Sequence, residues 1–142
     1  MKDLQRKLKK VQQYLQNDVK KDMGVQAVNH YRRSFINEGF TDKRLSKWQP
    51  VKRNKNGKGA ARTRKILTES KRLSDSGRYR ITARGVQIIY GTKYAEIHNK
   101  GGRAGRNGSA IIPKRQFIGR SEQLNRKISK TMAKRINRIM RM

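Results

Sequence analysis

The sequence contains no cysteine and few side chains of the kinds that carry out catalysis. Its 142 residues include two histidines and nine acidic residues. Without cysteine the chain has no disulfide framework, no thiolate metal site and no cysteine nucleophile. Two histidines and a few dispersed carboxylates supply little for hydrolysis or for holding a catalytic metal ion. We therefore expect a protein that is not an enzyme and uses neither cofactor nor metal.

Long hydrophobic runs are also missing. No run of 18 apolar residues occurs, so we expect no membrane-spanning helix and no membrane partner. The first ten residues, MKDLQRKLKK, lack the apolar region of a signal peptide. Leu, Ile, Val and Phe together make up about a fifth of the chain, a composition close to that of disordered proteins. The pattern along the chain must therefore show whether a core exists.

Apolar residues recur every three or four positions between residues 3 and 37, as in an amphipathic helix. Gly24 could break or kink this helix, and Gly39 suits its end. A second helical stripe follows Ser121, which can cap the helix that it begins. A short helix is predicted from about Glu69 to Asp75, and one helical turn over 93–98.

Between the helices, apolar and polar residues alternate at 78–82 and 86–91, which predicts two strands. We expect them to form a β-hairpin that turns at Arg84-Gly85. Residues 110–113 predict a third short strand. The fold class is therefore α+β, with a small antiparallel sheet flanked by a long N-terminal helix and a C-terminal helix. We predict a single domain over 1–142, with a helical region 1–38, a basic loop 39–65, an α+β core 66–119 with a flexible loop 99–110, and a basic amphipathic helix 120–142.

The most pronounced property of the chain is its positive charge. It has 38 Lys and Arg against nine Asp and Glu, a formal net charge of +29 at pH 7. The excess is distributed along the chain and is densest in 41–83 and in 114–142. Such a surface attracts polyanions, among which nucleic acid is the commonest. The candidate polyanion contacts are Lys52, Arg53, Lys55, Lys58, Arg62, Arg64, Arg103, Arg106, Arg126, Lys130, Lys134 and Arg138.

Two patterns that could indicate chemistry are weak. The glycine-rich run GGRAGRNG (101–108) matches neither the P-loop nor the dinucleotide-binding motif, and it precedes a strand rather than a helix. A Ser76–His98–Asp75 set can be drawn, but residues of these types occur in most chains of this length. We interpret His98 as packed or hydrogen-bonded at a helix end.

Several segments from Phe35 onward together resemble the virion-morphogenesis, or tail-completion, family of tailed bacteriophages. They are FINEGFTD with WQP (35–50), ILTESKRLSDS (66–76), VQIIYGTKYAEIHNKGG (86–102) and IPKRQFIG (112–119). The resemblance covers roughly residues 30–142 in the family's order. The residues that match its motifs, which we interpret as structural, are Trp48, Tyr94, Ala95, His98, Gly101, Gly102, Pro113, Arg115, Phe117 and Gly119.

The resemblance implies a small structural subunit of the phage neck or tail end, without enzyme activity or cofactor. Such subunits form a homo-oligomeric ring that completes the tail and helps to join it to the head. The implied partners are further copies of the chain and adjoining neck, tail-tube or head-completion proteins. The positive charge of the chain leaves two candidates for the anions that offset it, genomic DNA in the lumen and acidic surfaces of the adjoining proteins. The expected location is the virion, and the host cytoplasm during assembly. The alternative is a monomeric module that binds nucleic acid without sequence specificity.

Overall fold

A computed structural model gives the fold and describes residues 1–59, 63–68 and 70–142. The α-helices are α1 (Lys2–Gln13), α2 (Val19–Asn37), α3 (Lys52–Asn56), α4 (Arg72–Asp75), α5 (Ala95–Lys100) and α6 (Glu122–Arg141). The strands are β1 (Gly39–Thr41), β2 (Leu45–Lys47), β3 (Gly77–Ile81), β4 (Val86–Tyr90), β5 (Gly102–Ala104) and β6 (Ala110–Ile112). The α+β prediction is confirmed. No described helix is both long enough and apolar enough to cross a membrane.

The long N-terminal helix is continuous from α1 to α2 but contains one π-helical turn, Tyr14–Asp18. A π turn takes up one residue more than an α-helical turn. As a result Tyr14 and Val19, five residues apart, are both buried, while Asp18 stays exposed. Regular α-helical spacing would place Asp18 on the inner side instead. The extra residue thus lets the helix keep an apolar contact where a carboxylate would otherwise be buried.

The helix does not break at Gly24, where the sequence allowed a kink. Gly24 is buried within α2, and a Cβ atom at this position would overlap the ring of Tyr79 on β3. Glycine is therefore needed for the close approach of the first hairpin to the helix. The helix ends at Asn37, and Glu38 follows in a left-handed conformation with φ of 52°.

The strands form three separate antiparallel hairpins, β1–β2, β3–β4 and β5–β6. The predicted hairpin is present as β3–β4, with Tyr79 opposite Ile88. The predicted third strand, β6, pairs with β5 rather than with the first hairpin. Two segments that we expected to be loops contain regular structure, since β1, β2 and α3 lie within 39–65 and β5 and β6 lie within or beside 99–110. The predicted helix near 69–75 begins at Arg72, and Glu69 lies outside the described residues.

The core surrounds α2, which contacts β1, β3, β4, α4 and α6. One cluster is centred on Phe35, Trp48 and Phe117, and a second on Tyr31, Phe40 and Leu124. Tyr90 and Ile118 pack against both clusters and so connect them. The rings of Phe35 and Phe117 are 5.0 Å apart between centroids, and both side chains are only 1% exposed.

Candidate polyanion-binding surface

The carboxylates of the described residues are already bound within the protein. Asp3, Asp18, Asp22, Asp75, Glu96 and Glu122 form ion pairs with basic side chains. Glu38 and Asp42 instead accept hydrogen bonds from the backbone amides of Ile66 and Glu122, both at 2.8 Å. The acidic residues of the described chain therefore have intramolecular partners, and most of the 38 basic residues cannot be neutralised from inside.

The clearest array of unneutralised charge runs along α6. Arg126, Lys130, Lys134 and Arg138 follow one another at intervals of four residues and are all exposed. Successive members are about 6 Å apart along the helix axis. Arg126 pairs with Glu122, but among the described residues no carboxylate pairs with the other three. Like charges at this spacing destabilise a helix by a few tenths of a kcal/mol per pair, so bound anions would stabilise this basic ridge.

The N-terminus of α6 is held in place by side chains that are not part of the basic ridge. The Ser121 hydroxyl accepts a hydrogen bond from the amide of Leu124 at 3.2 Å, which confirms the predicted cap. The same hydroxyl donates to the carbonyl of Thr41 at 2.7 Å and lies 2.9 Å from Nε2 of His30. The apolar side of α6 then packs on α2 and α1. These contacts hold the helix with the basic ridge facing outward.

Ser121 and His30 have the spacing of a nucleophile and its base, but both are buried. Ser121 is 2% exposed and His30 6% exposed, so no substrate can reach the pair. Burial lowers the pKa of His30, which favours the neutral ring. In the other set drawn from the sequence, Ser76 donates to the carbonyl of Leu73 and Asp75 pairs with Arg32. Within the described residues, no group of His and acidic side chains could hold a metal ion. The arrangement can therefore bind anions through surface charge, and neither set forms an accessible catalytic site.

The β5–β6 hairpin carries two further candidate contacts, Arg103 and Arg106, and both are exposed. Gly105 precedes the short 3₁₀ turn that joins the strands and Gly108 is its last residue, and both have positive φ angles, of 80° and 65°. The glycines that suggested a flexible loop thus form the turn of a hairpin. Ile111 on β6 is 74% exposed.

The candidate contacts within 39–65 are described only in part. Lys52, Lys55 and Lys58 are exposed, on α3 or just after it. Arg64 is exposed and also has a partner within the protein. Arg62, and the side chain of Arg53, lie outside the described residues. The most extensive contacts of α6 are with α2 and α1, and those of β5–β6 are with α5. Within 39–65, Lys43 pairs with Glu122 at the start of α6, at 3.4 Å.

The motif residues, in contrast, come together around the irregular segment 113–119. Trp48 donates from Nε1 to the carbonyl of Gln116 at 2.8 Å. The amide of Arg115 donates to the carbonyl of His98 at 2.8 Å, and its buried guanidinium donates to the carbonyl of Gln49 at 3.2 Å. These contacts join the segment to α5 and to the region after β2.

The remaining motif residues shape the two chain segments that meet there. Gly101 has φ of 73°, and a Cβ atom would lie 2.8 Å from the backbone nitrogen of Lys114, the neighbour of Pro113. Gly102 and Gly119 also have positive φ angles. Ala95 and Phe117 are buried.

Tyr94 and His98 lie at the outer side of this region. Tyr94 is 40% exposed and packs edge-on against the His98 ring. Burial, and then the nearby charge of Arg115, lower the pKa of His98.

Three residues that hold this segment were not identified from the sequence. The Oδ1 atom of Asn99 accepts hydrogen bonds from the amides of Phe117 and Ile118. The hydroxyls of Ser34 and Tyr31 donate to the carbonyls of Phe117 and Gly119, at 3.2 and 2.7 Å. Helical spacing places Tyr31 on the apolar stripe of the first helix but did not identify Ser34. The carbonyl partners of both residues, more than 80 residues away, cannot be seen from the sequence.

One family model matches the chain. It is described as the phage virion morphogenesis family, and the match covers residues 1–137. No curated protein and no solved structure gives a significant match.

Proposed function

The chain belongs to the phage virion morphogenesis family, and on this premise we propose that it is a structural subunit of the phage neck or tail end. It forms a homo-oligomeric ring that completes the tail and helps to join it to the head. Its neighbours are further copies of itself and adjoining neck, tail-tube or head-completion proteins. A structural role in virion morphogenesis agrees with the expectation that the protein is not an enzyme.

The family match over residues 1–137 is the observation that carries this proposal, and the distribution of charge determines what such a ring has to bind. The carboxylates of the described residues already form ion pairs or hydrogen bonds within the protein, while the basic ridge of α6 is exposed. Copies with a formal charge of +29 repel one another, and at physiological salt surface charges interact over about 8 Å. A closed ring therefore needs anions from outside the chain. In a phage neck these are the genome in the lumen or acidic surfaces of adjoining proteins.

We propose DNA as the anion, bound through phosphates and without base readout. The ridge residues are Arg and Lys side chains on one helix face, which suit contact with a row of phosphates. The structure buries Trp48 and the three phenylalanines, Phe35, Phe40 and Phe117, so these rings are not available to stack on bases. Binding should therefore be independent of sequence and should weaken steeply with salt.

The test measures DNA affinity and oligomer mass together, from about 50 to 500 mM salt. The proposal predicts similar affinity for unrelated DNA duplexes, a steep loss of affinity with salt, and assemblies larger than a dimer when DNA is added. Weak DNA binding at the lowest salt would reject DNA and favour an acidic protein surface. Assemblies larger than a dimer at low salt without a polyanion would contradict the electrostatic argument.

The alternative function, a monomeric nucleic-acid-binding module, is favoured by one observation. The basic ridge lies on a single helix of a single chain and needs no neighbouring copy. The same experiment separates the two functions. If copies bind along DNA independently, with mass rising in single-copy steps and no closed assembly, the monomeric module replaces the ring.

A further inference from the structure

Three leucines form an exposed stripe along α1 and the π turn that follows it. Leu4, Leu8 and Leu15 are 50%, 53% and 43% exposed, and α1 contains no buried residue. Their spacing places them on one side of the helix. Single exposed apolar residues are ordinary on protein surfaces, but a continuous row on one helix face indicates an interaction site. Because these leucines are exposed, they do not contribute to packing α1 against the rest of the protein, although short helices depend on tertiary packing for their stability.

The other sides of α1 differ from this leucine stripe in their charge and in how far they are buried. Val11 is half-buried and Tyr14 is buried, on the side where α1 contacts α6. At 100° per residue, Gln5 and Gln12 adjoin the leucines on the opposite side. Of the five cations of α1, Lys2, Arg6, Lys9 and Lys10 lie further round the helix, and the half-buried Lys7 lies on the side of Val11, where it pairs with Asp3 at 3.0 Å. The leucine stripe is therefore flanked by neutral glutamines on one side and by a paired cation on the other.

We propose that the leucine stripe binds the same stripe of a second copy, with the two α1 helices antiparallel. A twofold contact joins two copies and does not by itself close a ring, so this contact is additional to those of the proposed ring. Two copies at +29 each can approach closely only along a seam without unpaired cations, and the leucine stripe meets that condition because the one cation beside it, Lys7, is paired with Asp3. An acidic partner would instead be expected to meet cations beside the apolar row.

The antiparallel arrangement follows from the twofold symmetry of a contact between identical surfaces. It places Leu4 against Leu15 of the partner subunit, with Leu8 near the symmetry axis. The stripe from Leu4 to Leu15 is only about 16 Å long. A contact of this size predicts a weak dimer whose population depends on concentration.

The first experiment compares matched variants of the full chain by sedimentation, without polyanion and at about 300 mM salt to screen the general repulsion. A Leu4→Gln/Leu8→Gln double variant removes the apolar seam but keeps charge and helix propensity. Val25→Gln is the control, since Val25 is 48% exposed on α2, outside the stripe. The double variant should weaken dimerisation at least tenfold, and the control should leave it unchanged.

The second experiment uses the absence of cysteine from the chain. A single cysteine is introduced by Leu8→Cys or, as the control, by Val25→Cys, and disulfide formation is followed under mild oxidation. Leu8→Cys should form covalent dimers at least ten times faster, because its two copies lie close to the symmetry axis. Equal rates for the two variants would overturn the proposed pairing.

The outcomes distinguish this proposal from the proposed function. A wild-type chain that stays monomeric at high concentration, or a double variant that dimerises like wild type, overturns the leucine-stripe contact. If DNA still drives assembly in that case, the proposed function stands without it. If wild type dimerises through the stripe but does not assemble on DNA, the stripe stands and the ring proposal fails.

Discussion

The Oδ1 atom of Asn99 accepts a hydrogen bond from the backbone N–H of Phe117 at 3.0 Å, and it also accepts from the next amide, at 3.1 Å. One side-chain oxygen thus takes the place of a neighbouring strand for two amides of a segment that belongs to no sheet. An unpaired buried amide costs about 1–3 kcal/mol. The position of the family-motif segment therefore depends strongly on one short polar residue at the end of α5.

We predict that Asn99→Leu lowers the free energy of unfolding by about 2–4 kcal/mol, because both amides lose their acceptor. Asn99→Asp keeps an acceptor oxygen at the same position and should cost clearly less. Urea unfolding of the two variants measures the difference. An Asn99→Leu variant as stable as wild type would show that water or another group replaces the side chain.

Phe117 should be among the residues on which stability depends most. Its ring is 1% exposed and contacts the rings of Phe35 and Tyr90. We expect Phe117→Ala to cost about 3–5 kcal/mol, the usual range for a large core side chain. Ile111→Ala is the control, since Ile111 is 74% exposed and should change stability by less than about 0.5 kcal/mol. Similar losses for the two variants, measured by chemical unfolding, would contradict this description of the core.

Two glycines allow a matched test of backbone strain. Gly101 has φ of 73° and ψ of 174°, and an added Cβ would lie 2.8 Å from a backbone nitrogen. We predict that Gly101→Ala costs about 3 kcal/mol, since this conformation is essentially restricted to glycine. Gly85→Ala adds a methyl group where no atom lies within 4 Å and should be nearly neutral. Thermal unfolding of both variants checks the contrast, which would be absent if 101–102 could change conformation at little cost.

Because the two histidines are buried, we predict that the protein loses stability in mild acid. Burial lowers the pKa of His30 and of His98 below the ordinary value of 6.5. As pH falls below about 6.5, the unfolded chain takes up protons that the folded protein does not. The stabilisation is therefore present above this pH and is lost as pH falls towards the folded pKa values. The urea midpoint should be lower at pH 5.5 than at about pH 7.5, and a His30→Gln/His98→Gln variant should show a smaller difference between the two values.

Neutralising the basic ridge should reduce the salt dependence of DNA binding. Each phosphate contact contributes about 0.9 to the slope of log affinity against log salt concentration. We predict that replacing Lys130, Lys134 and Arg138 together by Gln lowers this slope by about 2–3. In a control triple variant, Lys2, Lys9 and Lys10 of α1 are replaced by Gln, so that its net charge equals that of the ridge variant. Equal reductions in both would mean that overall charge, rather than the ridge, determines binding.

Local signals in the sequence were sufficient for much of the fold. The Ser121 cap and the alternation in β3 and β4 depend on neighbouring residues, and each is present in the structure. The turn between these strands was predicted one residue too late, since Thr82 and Gly85 hydrogen-bond to each other across Ala83 and Arg84. The apolar stripe of the first helix was also visible. Its division into an exposed part and a buried part was not, because the π turn after Gln13 cannot be deduced from spacing alone.

The candidate site was less predictable because it depends on contacts that are distant in sequence. The exposed positions on α6 follow from helical periodicity. Whether a given cation is neutralised depends on pairs such as Asp22 with Arg135, which are far apart in the chain. The role of Asn99 likewise depends on residues 18 and 19 positions later. Assembly partners depend on other molecules, so they remain proposals.

The hydrogen-bonded segment around Phe117 also bears on how the protein folds while it is being synthesised. Ser34 and Phe117 are linked across 83 residues, and Tyr31 and Gly119 across 88. When a ribosome has made only the chain as far as β4, Phe35 and Trp48 have no Phe117 ring or Gln116 carbonyl to contact. Closing such long loops is slow compared with forming helices. The nascent chain must therefore carry exposed aromatic side chains until residues 113–119 emerge, and the cluster of Phe35, Trp48 and Phe117 closes late in synthesis.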